Sequence, residues 1–230
     1  MIGIIGAMDK EIELLLEQME IYKEDTFADK IFYSGTLSGK EVVIAKSGIG
    51  KVNATITTTL LLEKYPVNQV INIGIAGGLL PTKVGDIVIA DGISYFDVDL
   101  TSIDNIPYGQ MANDPLIVET DFNLRQKAIF VFEDYDISVH QGKLVSGDRF
   151  VTSKASLHPI LKEIDNVLAC EMEGMSIGLT CFKFNIPFLS IRGISDVIDA
   201  EGQKETYNDF SEKIAHTTSE FVMKFLEAIE

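Results

Sequence analysis

Apolar residues along the chain follow two alternating patterns. Short runs rich in β-branched residues are apolar at nearly every position, while longer stretches repeat apolar residues every three or four positions. IGIIG (2–6) is of the first kind and predicts a buried strand. Over 8–21, Met8, Ile12, Leu15, Leu16 and Met19 share one helical face, which predicts a helix. KIFYSGTLSGKEVVIAKSG (30–48) predicts a hairpin turning near Ser38-Gly39. Residues 51–65 predict a helix, QVINIGIAGG (69–78) a strand ending in glycines, and GDIVIADGISYF (85–96) another strand. The segment 97–120 is rich in turn formers and has little periodicity. The alternation then resumes with a helix at 121–133, a strand at 137–146, a helix at 153–164, a strand at 166–171, a helix at 173–184, a strand at 187–194 and an amphipathic helix at about 206–229.

Strands alternating with helices predict an α/β fold of three layers, a central mixed but largely parallel sheet with helices on both faces. No linker, low-complexity stretch or repeat divides the sequence, so residues 1–230 read as one domain. In such sheets ligands bind beyond the carboxyl ends of the strands. Glycines and acids concentrate at those ends, in GAMDKE (6–11), SGIGKVN (47–53), GIAGG (74–78), SGDRF (146–150), CEMEG (170–174) and RGISD (192–196).

Composition narrows the partners. A net charge of −16 over 230 residues would repel a polyanion, and no dense Lys/Arg cluster offsets it, so no nucleic acid is expected. Cys170 and Cys181 lie among apolar neighbours and read as small buried hydrophobes in a reducing compartment. The three histidines form no HExxH, and no metal site is expected. The start MIGIIGAMDKE lacks the basic region and cleavage site of a signal peptide, and no apolar run is long enough to span a bilayer. The simplest expectation is a cytoplasmic protein with no membrane partner.

SGIGKVN is not a phosphate loop, because Gly50-Lys51 is followed by Val52 and the preceding glycine spacing fails. It leaves a glycine turn that lets backbone approach a small ligand. The acids carry more information. Glu11 shares the inward face of its helix with Met8 and Leu15, although an acid in a first turn also suits the helix dipole. Asp196 ends an apolar run that Arg192 interrupts. The two could form a buried ion pair, or Asp196 could be an acid whose pKa is raised by apolar surroundings. Glu171 and Glu173 sit in LACEMEGMS with no cation beside them, at a junction of strand and helix where sequence does not decide which one faces a ligand.

The ordered set IGIIGAMxxE, SGIGKVNA, NxGxAGG, VGDIVIAD, YxDxDxT, YGQ, SGDxF, EMEG and RxISD resembles the 5′-methylthioadenosine/S-adenosylhomocysteine nucleosidases of the nucleoside phosphorylase superfamily. The resemblance implies a nucleoside phosphorylase-like fold, a homodimer and hydrolysis of an N-glycosidic bond without cofactor. It implies Glu11 as the base that activates water and Asp196 as the acid at adenine N7, with Ser195 beside it. Glu173 and the Met172 backbone would hold the ribose hydroxyls, Phe150 would stack on adenine and the Val151 backbone would read the base edge. Gly77 would line the site, Arg192 would help place the water, and Met8 and Ile49 complete the substrate-binding set. The sequence departs from the family at Ile75, where a hydroxyl residue is usual, at Phe96, where His is common, and in TSIDNIPYGQ (101–110). These departures bear on the 5′ substituent. The rival expectations are a phosphorylase, an aminodeoxyfutalosine nucleosidase and a nucleoside-binding protein without catalysis. Only three arginines and an acid at the nucleophile position favour hydrolysis over phosphorolysis.

Overall fold

The computed structural model describes residues 1–103, 105–132 and 137–229. Strand β1 (Ile2–Gly6) lies between β4 (Lys40–Lys46) and β5 (Gln69–Gly78) and runs parallel to both. Being covered on both faces explains why its sequence is apolar throughout rather than alternating. Strands β3 (Lys30–Leu37) and β2 (Glu20–Phe27) continue antiparallel beyond β4. On its other side β5 pairs in parallel with β10 (Phe188–Val197), which pairs antiparallel with β6 (Ile87–Tyr95). Strands β8 (Val139–Ser146) and β9 (Val167–Glu171) follow in parallel, and the end of β9 returns to meet Gly77 and Gly78 of β5. The short β7 (Val118–Glu119) adds to β6.

Helices cover both faces of this mixed sheet. Helices α1 (Asp9–Gln18), α3 (Phe122–Phe132) and α6 (Gln203–Ala228) pack together on one face, and α2 (Lys51–Lys64) with α5 (Gly174–Phe184) on the other. Strand alternation feeds the two cores. Val42 and Ile44 join Ile12, Leu15, Phe221 and Phe225, whereas Val43 and Ala45 join Ala54, Leu61, Ile177 and Cys181. Burying each large side chain such as Phe225 or Leu226 contributes about 1.5–3 kcal/mol.

The predicted alternation is present, with three differences. Helix α1 stops at Gln18, and the chain turns at once into β2, which the periodicity missed. EIYKEDTF is polar and mostly exposed because β2 is an edge strand, held by its backbone ladder to β3 rather than by an apolar face. The single helix expected over 153–164 is a 3₁₀ turn at Lys154–Leu157 and a separate turn, α4 (Ile160–Glu163). Pro159 divides them, since it lacks an N–H and disfavours a continuing helix before it. The end of the helix expected over 121–133 lies outside the described residues. Finally, β10 continues to Val197, so Ser195 and Asp196 belong to the strand. The 30–48 hairpin turns as expected through Ser38 and Gly39, both at positive φ.

The edge strand gives a test. A Cβ at Gly35 would overlap the Glu20 carbonyl oxygen across the β2–β3 ladder, where backbone has little room to give. Gly35→Ala is expected to destabilise the protein by about 1–3 kcal/mol. In a chain of this size that lowers the thermal midpoint by roughly 2–4 °C per kcal/mol, measurable by calorimetry.

Candidate active site

The carboxyl ends of β1, β4, β5, β8, β9 and β10 meet around a cavity of about 300 Å³. Ala7 and Met8 enter it after β1, Ile49 after β4, and Ile75, Ala76 and Gly77 from β5. Phe150 and Val151 come from the turn after β8, and Met172 and Glu173 from the junction of β9 and α5. Ser195 and Asp196 come from β10, Glu11 from α1 and Tyr207 from α6. Of the residues predicted from sequence, all but Arg192 line this cavity.

Glu11 is buried and its carboxylate is held by three backbone amides. Oε2 accepts from Ala7 N at 2.7 Å and Met8 N at 2.9 Å, and Oε1 from Ile75 N at 3.0 Å. The residue thus caps its own helix by reaching back to Met8, and its backbone carbonyl accepts from Ser219 Oγ at 3.1 Å. Burial raises its pKa, partly offset by the Arg192 guanidinium and these N–H bonds. Gly74 makes room: a Cβ there would lie 2.5 Å from Glu11 Oε1 and 3.0 Å from Arg192 Nη1.

Arg192 sits beneath the cavity, 2% exposed. Its Nη2 donates to Glu171 Oε2 at 2.8 Å and to Asn72 Oδ1 at 2.5 Å. The Arg192–Asp196 pair considered from sequence is therefore not formed; the guanidinium supplies the cation that LACEMEGMS lacks. Nε and Nη1 of Arg192 have no hydrogen-bond partner among the described residues. Glu171 is fully engaged. Oε2 also accepts from the N–H groups of Glu173 and Gly174, which caps the start of α5, and Oε1 accepts from Ser146 Oγ.

Among the described residues the Glu173 carboxylate has one protein donor, Gly50 N, from which Oε1 accepts at 2.7 Å. The N-terminus of α2 in SGIGKVN thus meets a carboxylate. Burial first, then the neighbouring charge of Glu171, raises the Glu173 pKa to about 8. Asp196 is 1% exposed; Oδ1 accepts from Ser195 Oγ and Oδ2 from Gln203 Nε2, both at 2.7 Å. A bulge places it: Ile194 pairs with Ala76 but Asp196 with Gly77, so Ser195 is the extra residue that re-aims the end of β10.

The apolar wall is Met8, Ile49, Ile75 and Phe150, with Phe150 edge-on to Tyr207 at 5.4 Å between ring centres. Phe96 instead packs in the core beneath Arg149. None of the described residues of 101–110 lines the cavity. No cluster of three or more metal-ligating side chains exists, and no helix is long and apolar enough to cross a membrane, among the described residues. Sequence reading missed Gln203, Tyr207 and Ser146. Asn72 had a visible sign, a lone amide in the apolar run of β5.

The raised pKa of Glu173 yields a pH test. In the folded chain Glu173 keeps a proton that the unfolded chain releases near its ordinary value of 4.5. The resulting stabilisation is complete below that pH and is lost as pH rises through about 8. Glu173→Gln removes this titration. The thermal midpoint of the wild type relative to that of Glu173→Gln is expected to fall between pH 6 and pH 9; a difference independent of pH would overturn the assignment.

The chain is 39% identical over 223 residues to the 5′-methylthioadenosine/S-adenosylhomocysteine nucleosidase of Staphylococcus aureus strain JH9, covering 96% of this chain and 97% of the relative. Its fold matches the Neisseria meningitidis nucleosidase of the same name, solved with methylthio-immucillin-A, at a TM-score of 0.92 and 37% identity over 99% of both chains. The futalosine hydrolase of Helicobacter pylori strain 26695 also matches, at a TM-score of 0.92 and 33% identity over 99% of this chain and 97% of that one. The sequence pattern of the phosphorylase superfamily matches residues 1–227, and the chain belongs to that superfamily.

Proposed function

We propose that this protein is an N-glycosyl hydrolase that cleaves 5′-methylthioadenosine and S-adenosylhomocysteine to adenine and the corresponding thioribose. The observation that carries the reading is the convergence of Glu11, Glu173 and Asp196, all buried, on one largely apolar cavity. Breaking an N-glycosidic bond leaves positive charge on the ribose and negative charge on the base. Asp196, held by Ser195, protonates adenine N7 and makes the base a better leaving group. Glu173 and the Met172 backbone take the ribose hydroxyls, and the carboxylate lies beside the developing cation. Phe150 stacks on the base, the Val151 backbone reads its edge, and Gly77 lets it approach β5. Glu11, whose pKa burial raises against the opposing pull of Arg192 and three backbone amides, takes the proton of the attacking water. Arg192 and Glu171 act through their neighbours as positioning residues, with Arg192 Nη1 converging with Glu11 at Gly74. Met8, Ile49 and Ile75 give the 5′ substituent an apolar wall.

Hydrolysis is favoured over phosphorolysis because the amides of Ala7, Met8 and Ile75, which could cradle an anion, already serve Glu11. The likeness to the Helicobacter futalosine hydrolase makes aminodeoxyfutalosine a second substrate to examine. We read residues 1–230 as one nucleosidase domain, cytoplasmic and acting in methionine salvage without a cofactor. The homodimer reading is supported by an exposed apolar patch of Val52, Ile56 and Met111 beside Val98 and Leu179; sedimentation would test it.

Purified protein is expected to release adenine from 5′-methylthioadenosine and S-adenosylhomocysteine in phosphate-free buffer. No adenine from these, from 5′-deoxyadenosine or from aminodeoxyfutalosine would overturn the reading, and a sugar phosphate formed only with added phosphate would favour a phosphorylase. Asp196→Asn and Glu11→Gln are each expected to lower kcat by about 10²–10⁴-fold while changing KM far less. Equal losses in binding and rate would assign the acids to structure alone.

A further inference from the structure

Gln203, the first residue of α6, is buried, and its side-chain amide spans two elements of the site. Nε2 donates to Asp196 Oδ2 at 2.7 Å and to the Val151 carbonyl at 3.0 Å. The Val151 carbonyl can only accept, so the amide is oriented with its NH₂ between the two oxygens. Its two N–H groups are coplanar and carried by an sp² nitrogen. An amine on an aromatic base is the same kind of donor, and adenine bears one.

On the nucleosidase reading, on which this step rests, Asp196 and Val151 are also the residues that face the base edge. The position that bridges both oxygens holds one amino group at a time. We infer that Gln203 is an internal stand-in for the amine of the base, displaced when the base binds. It thereby sets the affinity for amino-bearing bases. A base with a carbonyl in place of the amine would bring an acceptor against two acceptors, so it could not replace the bonds that Gln203 gives up.

The local backbone suits displacement. Helix α6 begins after Gly202, whose φ of 73° lies in the left-handed region, and no side chain caps its first turn. One turn further on, Tyr207 lines the same cavity and packs edge-on against Phe150. Release of Gln203 therefore acts on the helix segment that carries a wall of the pocket.

The test is the adenine dissociation constant, by titration calorimetry, of the wild type, Gln203→Ala and Gln203→Asn. Asparagine keeps the amide but is too short to bridge both acceptors, and it decides the matter if the alanine variant does not fold. If the docked amide fills the base-edge acceptors about nine-tenths of the time, its removal tightens adenine binding about tenfold. Hypoxanthine should remain weaker than adenine in all three proteins. Unchanged or weaker adenine binding in folded variants would overturn the inference and make Gln203 a brace for Asp196. Adenine release by the wild type separates the two claims. A wild type that releases adenine while its variants bind it no tighter defeats only the inference. A wild type that releases none defeats the nucleosidase reading, and the ratio of dissociation constants still judges Gln203.

Discussion

The buried ion pair between Arg192 and Glu171 ties together the ends of the strands on which the site depends. Both side chains are 2% exposed, and each ion loses several kcal/mol of hydration on burial. Such a pair is best tolerated where the remaining donors and acceptors are also served, which here holds for Glu171 but not for Nε and Nη1 of Arg192 among the described residues. Here Ser146 and two amides of α5 complete Glu171, and Asn72 of β5 shares the guanidinium. The pair therefore joins β5, β8, β9 and β10 below the cavity. Removal of either partner alone would leave a buried, unmatched charge, a loss of about 3–5 kcal/mol.

From this arrangement follows a division among the acids. Glu171, saturated by a cation and three other donors, is fixed in place. Glu173, two residues away, has a single protein donor among the described residues, and the charge of Glu171 adds to burial in raising its pKa. It is left with acceptor capacity for hydroxyl groups, and accepting their bonds would favour its ionised form. Glu11 is buried as deeply but sits among backbone N–H groups and nearer the guanidinium, both of which oppose the burial effect. The same residue type thus acquires different chemistry from the donors around it.

Much of this was legible in the sequence because most site residues lie at or just past the ends of strands, and strands buried on both faces announce themselves as apolar runs. Glu11, Glu173 and Asp196 were marked by polar groups intruding on such runs. The destination of Arg192 was not, because pairing across β9 and β10 depends on sheet order, which periodicity does not encode. Gln203 gave no signal at all: its neighbours are polar, and only the close packing of α6 against β10 brings it to Asp196. The bulge at Ser195 was equally hidden, since an extra residue in a ladder is visible only against its partner strand. Edge strand β2 failed for a related reason, being stabilised by backbone bonds that leave no hydrophobic alternation.

The choice between water and phosphate as nucleophile also follows from where these donors point. The amides at the ends of β1 and β5 converge as they would around a small anion, but the anion they hold is Glu11, part of the chain itself. A phosphate dianion drawn to the same end of the cavity would lose those donors and face a carboxylate. At about 4 Å and an effective dielectric of about 20, that repulsion is on the order of 8 kcal/mol. Arg192 Nη1 could offset part of it, but the guanidinium is committed through Nη2 to Glu171 and Asn72 and is held beneath the cavity. A neutral water would meet no such penalty and, on the proposed reading, would find in Glu11 a base for its proton. On the proposed reading, a carboxylate tethered where a phosphorylase would bind phosphate turns an anion cradle into a device for activating water.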